Sequence, residues 1–235
     1  MPRIARAAPG GVVHHCLNRG NDRKIIFRKP ADFDAFLQLL AEGKARFTVT
    51  ILAFCLMDNH WHLSLLPAAD DDLSNFIGWI CNAHVRRYRL HYHTAGQGHL
   101  YQGRFKSFPV KDDPHLLLMH RYVEANALRA GMVTRAEDWP YSSLHHAIHG
   151  DPLRLVDPWP VARPDDWVRF VNEPVAESET ALLRQNVVRS RPFGDDDWVM
   201  TMAKLLGLEF TLRPRGRPKR PTVKAHVAGE TDGEE

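Results

Sequence analysis

Residues 47–66 read FTVTILAFCLMDNHWHLSLL, two apolar runs separated by Asp58-Asn59. An Asx pair between such runs predicts a β-hairpin. The first run, β-branched and apolar, reads as a buried strand. The second spends two histidines, His60 and His62, where apolar residues would serve the core. With a strand period of two, these imidazoles project from one face and Trp61 from the other. Counted straight through the turn, Phe54, Leu56 and Asp58 share the histidine parity, although the turn leaves that register open.

Elements alternate around this hairpin. GVVHHCLNRG reads as a strand ending at Asn18, Arg19 and Gly20. ADFDAFLQLLAEGKA has Phe33, Phe36, Leu37 and Leu40 at helical spacing, after Pro30. LSNFIGWICNAHVRRYRLHY is a second helix, HTAGQGHLYQG a glycine-rich loop, and RFKSFPV a short strand stopped by Pro109. DDPHLLLMHRYVEANALRAG predicts one further helix, capped by Asp113, with Pro114 at its first position and Gly131 at its close. The order matches an α+β, ferredoxin-like βαββαβ layout: an antiparallel sheet with helices on one face, plus this last helix.

Composition narrows the class. The 235 residues, 44% of them hydrophobic, suffice for one good core. No apolar run reaches membrane-spanning length, and MPRIARAAPGG lacks the apolar stretch of a secretory signal, so a cytoplasmic, nucleoid-associated protein is expected. Three widely spaced cysteines, Cys16, Cys55 and Cys81, fit buried thiols in a reducing compartment. Residues 1–150 carry 18 Lys+Arg against 13 Asp+Glu, and residues 151–210 carry 7 against 11. TLRPRGRPKRPTVK then holds six basic residues and no acid. The chain thus divides into a folded body (1–150), a helical extension (151–210) and a basic tail (211–235).

Two neutral imidazoles side by side on a rigid strand can chelate a divalent metal. An isolated pair at this spacing is also common as ordinary hydrogen-bonded histidines of a sheet. In the last helix of the body, Tyr122 and Asn126 stand four residues apart, one turn from each other on one face. A rim tyrosine and a last-turn asparagine give the same pattern, and spacing alone does not choose.

LNRGNDRKIIF, FCLMDNHWHLSLL, YQGRFKSF and YVEANALRAGMV…DWPYSS, in that order, resemble the single-tyrosine HUH transposases of the insertion-sequence 200 type, most of all their REP-associated branch. The resemblance covers roughly residues 10–148. It implies that His60, His62 and Asn126 hold Mg²⁺ or Mn²⁺ and that Tyr122 is the nucleophile. It further implies cutting and rejoining of hairpin-bearing single-stranded DNA through a 5′-phosphotyrosine, with a monomer favoured over a dimer. Imidazole ligands lean toward Mn²⁺. The family often has proline where Asp58 and Ala127 stand here, which touches local backbone geometry rather than a catalytic atom.

For DNA, Asn18, Arg19, Arg23 and Lys24 follow the first strand, and Arg104 and Lys106 flank Phe105. Phe105 and Phe108 fit the core better than base stacking. Tyr101, beside the glycine loop, lacks a helical partner and is the weaker nucleophile candidate. In the tail, Arg215, Gly216, Arg217 and Pro218 spell the core of an AT-hook, suited to A·T-rich duplex DNA. The competing readings are a non-catalytic DNA-binding regulator and an HUH replication or mobilisation initiator.

Overall fold

The Asp58-Asn59 turn does make a hairpin, and its length decides how the sheet presents its side chains. In the computed structural model, which describes residues 8–175 and 177–213, β2 (Val49–Met57) pairs antiparallel with β3 (His60–Pro67), closed by Met57 opposite His60. Residues paired across strands share a face. Met57 and Cys55 therefore lie on the histidine side, and Phe54 and Leu56 on the opposite side. The straight count through the turn is corrected: a two-residue loop inverts the parity. The turn itself is gripped from outside, since the Asp58 carbonyl accepts from Ile26 and Phe27 N–H and the Asn59 carbonyl from Gly20 N–H.

With β1 (Val13–Arg19) and β4 (Lys106–Val110), the sheet runs β2-β3-β1-β4, every neighbour antiparallel. This is the order of the split βαβ layout. On one face, Trp61, Leu63, Leu65 and Cys16 meet α1 (Pro30–Lys44) and α2 (Asp72–Tyr92). Asp32 starts α1 by accepting from Arg28 and Lys29 N–H, with Pro30 at the first helical position. Gly43 lets α2 approach: a Cβ there would lie 2.7 Å from the Phe76 ring. Phe36 is fully buried in this layer, and its loss would cost about 3–5 kcal/mol.

The other face takes α3 (Pro114–Glu124), whose Leu116, Met119 and Val123 pack on Leu52, Cys55 and Phe108. Asp113 caps α3 as expected, accepting from His115 N–H at 2.8 Å. The helix does not continue to Gly131, however. It ends at Glu124, Ala125 turns out of helical geometry (φ −80°, ψ 3°), and a single turn, α4 (Asn126–Arg129), comes next. Gly131 ends that turn at φ 68°. Pro109 is a second correction, for it lies inside β4 rather than stopping it. β4 is an edge strand, where a missing N–H is tolerated, and the Pro109 carbonyl accepts from Phe193 N–H at 2.9 Å. Phe105 and Phe108 are both buried.

The segment after Arg129 closes the opposite sheet edge. Leu56 N–H donates to the Tyr141 carbonyl, Phe54 N–H to Ser143 Oγ, and Ile51 N–H to the Asp157 carboxylate. The indoles of Trp139 and Trp159 donate to the Leu56 and Leu52 carbonyls. Both edges are thereby covered, which removes them as templates for stray pairing. Short helices α5 (Ser143–His149), α6 (Trp167–Asn172), α7 (Glu177–Arg189) and α8 (Asp196–Leu205) complete the chain's described helices. Leu205 of α8 is exposed, whereas Val199 and Met202 are buried. Among the described residues no helix is long and apolar enough to cross a membrane.

Candidate active site

β3 sets His60 and His62 on the α3 face, their ring centroids 5.0 Å apart. The second nitrogen of each ring is already engaged. His60 Nδ1–H donates to Asn59 Oδ1 at 2.6 Å, and Asn59 Nδ2–H donates to the Arg23 carbonyl, which fixes which end of that amide is oxygen. An oxygen acceptor places the His60 proton on Nδ1 and leaves Nε2 with a free lone pair. His62 Nδ1 lies 2.9 Å from Nε2 of His15, a fully buried residue of β1. When His62 donates that bond, its Nε2 is likewise a lone pair.

The imidazoles are held neutral. Burial brings the pKa of His15 down to about 3. Burial, then the charges of Arg19 and Arg129, brings His60 to about 4. His62 is pushed well below the usual histidine range by burial, then by His60, His15, Arg129 and Arg19.

Tyr122 comes down from α3 onto the same face. Its ring centroid is 5.9 Å from that of His62 and 6.5 Å from that of His15. The break at Ala125 turns Asn126 back toward α3. Asn126 Nδ2–H donates to the Tyr122 and Val123 carbonyls at 3.0 and 3.1 Å, so the side chain braces the last turn of that helix. Asn126 Oδ1 accepts from Arg129 at 2.9 Å, and a carbonyl oxygen keeps a second lone pair. Arg129 also donates to the Tyr122 carbonyl at 3.3 Å, and its guanidinium lies 4.0 Å from the Tyr122 ring centroid.

A cavity of about 510 Å³ gathers His60, His62, Tyr122, Asn126 and Arg129 on one wall system. Asn18, Arg19, Arg104 and Lys106 line it too, as does Arg184 of α7. Asn18 is held at both ends of its amide: its Nδ2–H donates to the Gly103 carbonyl at 3.4 Å and its Oδ1 accepts from Arg19 N–H. Arg23 does not line this cavity and Lys24 belongs to another. Arg215, Gly216, Arg217 and Pro218 lie outside the described residues. Tyr101 is on the opposite face, where its hydroxyl accepts from Trp61 Nε1–H at 3.1 Å and donates to His84 Nδ1 at 2.6 Å. Burial raises its pKa well above the ordinary phenol value.

The donor set suits a divalent cation of intermediate hardness: two imidazole Nε2 atoms and one amide oxygen. Among the described residues no three His, Cys, Asp or Glu side chains gather as a metal site. Residues 11–126 match the family described as IS200-like transposases. That stretch contains His60, His62, Tyr122 and Asn126.

That match spans just under half of the 235 residues, and over it the chain is similar to the IS200-like transposases.

The chain is 27% identical, over 127 residues, to a Haemophilus influenzae protein whose name assigns it to the REP-associated tyrosine transposases. That alignment covers 49% of this chain and 65% of the relative, so the chain spans just under two thirds of that protein's length. A solved structure described as a REP-associated tyrosine transposase bound to a REP hairpin shares the fold, with a TM-score of 0.50 and 20% identity. It covers 75% of this chain and is itself covered completely.

His15 and Arg184 are the residues that sequence reading passed over. His15 sits beside another histidine in GVVHHCLNRG, and only the β1–β3 register brings it to His62. Arg129 shares the Tyr122 side by helical spacing, but nothing in the sequence shows that it stacks on the ring.

Proposed function

We propose that this chain is a metal-dependent single-strand DNA endonuclease and strand transferase that acts on hairpin-bearing DNA through a 5′-phosphotyrosine. The observation that carries the reading is the Tyr122 ring beside His62, in a cavity that His60 also lines and that Arg19, Arg104 and Lys106 edge. Mg²⁺ or Mn²⁺ held by His60 Nε2, His62 Nε2 and Asn126 Oδ1 would polarise the scissile phosphate. The basic rim binds and orients the flanking phosphates.

Tyr122 Oη attacks phosphorus, and the bond from phosphorus to the 3′-oxygen breaks. The phenol proton leaves Oη, and the departing 3′-oxygen takes one up. One phosphodiester replaces another, so no nucleotide triphosphate is consumed and the step reverses. A free phenol with a pKa near ~10 is a weak nucleophile at neutral pH. The Arg129 guanidinium, 4.0 Å from the Tyr122 ring centroid, steadies the ring. The short distance from Tyr122 to His62 within one chain supports a monomer acting in cis. The basic tail is proposed to grip A·T-rich duplex beside the cut. Incubation with hairpin-bearing single-stranded DNA and Mn²⁺ tests the reading: a covalent protein–DNA species is expected, and its absence overturns it.

A further inference from the structure

The stretch SSLHHAIHG places His145 and His149 four residues apart, and α5 carries both. We propose that this pair is a second metal site, taking a divalent transition ion of the Cu²⁺, Ni²⁺ or Zn²⁺ kind, and that the bound ion braces α5. The pair is separate from the candidate active site: among the described residues lining that cavity, none comes from α5.

Spacing, orientation and protonation all favour chelation. Residues four apart on a helix are neighbours on one face. The two rings do stand side by side, with centroids 4.3 Å apart and planes 35° from parallel. His145 Nδ1 lies 2.7 Å from the Glu137 carbonyl oxygen, which can only accept. In the neutral ring the proton is therefore on Nδ1, and Nε2 keeps its lone pair. Ligand histidines are commonly held this way, with the second nitrogen donating to a carbonyl, which fixes the tautomer and raises the basicity of the first. His149 is exposed, so an ion reaches the pair from solvent.

The frame beneath the pair is well anchored. Ser142 caps α5, its Oγ accepting from His145 N–H at 3.2 Å. Ser143 Oγ accepts from Phe54 N–H of β2 and donates to Glu124 Oε1 of α3. Leu144 is fully buried, and His146 Nδ1 lies 3.1 Å from Asp151 Oδ1. Donors preorganised in this way lose little freedom on binding. His149 is the last helical residue, where the aligned peptide dipoles favour a cation. Ligand softness selects the ion. Imidazole suits copper, nickel and zinc, whereas Mg²⁺ and Mn²⁺ prefer oxygen ligands. Among the described residues no third His, Cys, Asp or Glu joins the pair, and water completes the coordination shell. An ion shared by the two rings ties the last turn of α5 to the segment that holds Glu137.

The test titrates Ni²⁺ alone into the full chain carrying His60→Ala and His62→Ala, which silences the candidate active site. Two further changes are compared with this parent. His149→Ala removes an exposed ring, and His145→Asn keeps a donor for the Glu137 carbonyl while removing Nε2. In each, Ni²⁺ affinity by calorimetry should fall by more than the roughly 10- to 100-fold that loss of an outer partner brings. The same loss is expected when the two changes are made in the wild-type chain. Ni²⁺ should also raise the melting temperature of the parent and leave that of either variant unchanged, whereas Mn²⁺ should leave all three unchanged. Ni²⁺ binding at parental affinity in His149→Ala or His145→Asn overturns the chelate, as does a parent that binds no Ni²⁺. Mn²⁺ bound as tightly as Ni²⁺ overturns the imidazole ligand set, and binding without a rise in melting temperature overturns the bracing role.

Discussion

His15 Nε2 lies 2.9 Å from His62 Nδ1, so a buried histidine on the neighbouring strand backs the candidate ligand. The pair has two proton arrangements. His62 can donate, which leaves its Nε2 free for a cation, or it can accept, which places a proton on that Nε2. Among the described residues His15 Nδ1 has no hydrogen-bond partner, so this ring is incompletely satisfied by them. An unsatisfied buried polar atom costs about 1–3 kcal/mol, a cost that fits a role in orienting His62.

His15→Leu removes the acceptor and should weaken Mn²⁺ binding about 10- to 100-fold, as loss of a ligand's outer partner commonly does. His15→Gln keeps an acceptor and should recover part of the affinity. Titration calorimetry with Mn²⁺ distinguishes them. Equal affinities in the wild type and His15→Leu would show that the contact does not orient His62.

Arg129→Met removes the guanidinium from the Tyr122 ring and the donor from Asn126 Oδ1. Adduct formation should slow by about 10²-fold, the scale of losing one stabilising donor in an active site. Stability should drop by about 1–3 kcal/mol, because a buried amide oxygen loses its partner. Single-turnover cleavage assays and urea unfolding report the two effects separately. Unchanged cleavage would reduce Arg129 to a packing residue.

Stability should fall as the solution is acidified from pH 7 toward 4. Burial holds His84 at about 4 and His120 at about 3 in the fold, both below the unfolded value near 6.5. Below pH ~6.5 the unfolded chain takes up protons that the folded chain does not, so each group's contribution is lost as pH falls toward its folded pKa. Glu124, whose carboxyl is raised by burial, acts in the opposite sense: its contribution is lost as pH rises above the ordinary value of 4.5, so it partly offsets the histidines. Urea midpoints measured from pH 7.5 to 4.5 should decline steadily below ~6.5. A flat profile would mean that these rings protonate in place.

Tyr101→Phe should cost stability rather than chemistry. It breaks the hydrogen bonds to Trp61 and His84, a loss of about 1–3 kcal/mol, on the face away from the histidine pair. Adduct yield should match wild type. Loss of the adduct in a variant that still melts cooperatively would reopen the choice of nucleophile.

Local chemistry was legible in the sequence wherever one residue type controls the backbone. Asp58-Asn59 marked the hairpin, and Asp113-Pro114 marked the start of α3. Three features carried no such mark. Ala125 is a good helix former, so nothing local announces that α3 breaks there and that Asn126 turns back to brace it. Facing across the hairpin depended on the turn length, which pairs Met57 with His60. His15 against His62 is a product of strand register between segments 47 residues apart, which neither segment encodes alone.

The most direct measurement is the identity of the residue that carries DNA. After reaction of wild-type protein with a REP-type hairpin and Mn²⁺, nuclease trimming and trypsin should release the Tyr122–Arg129 peptide, with a 5′-linked nucleotide on the Tyr122 oxygen. Tyr122→Phe should yield no modified peptide. A nucleotide on Tyr101 or any other residue, or an adduct that persists in Tyr122→Phe, would contradict the assignment.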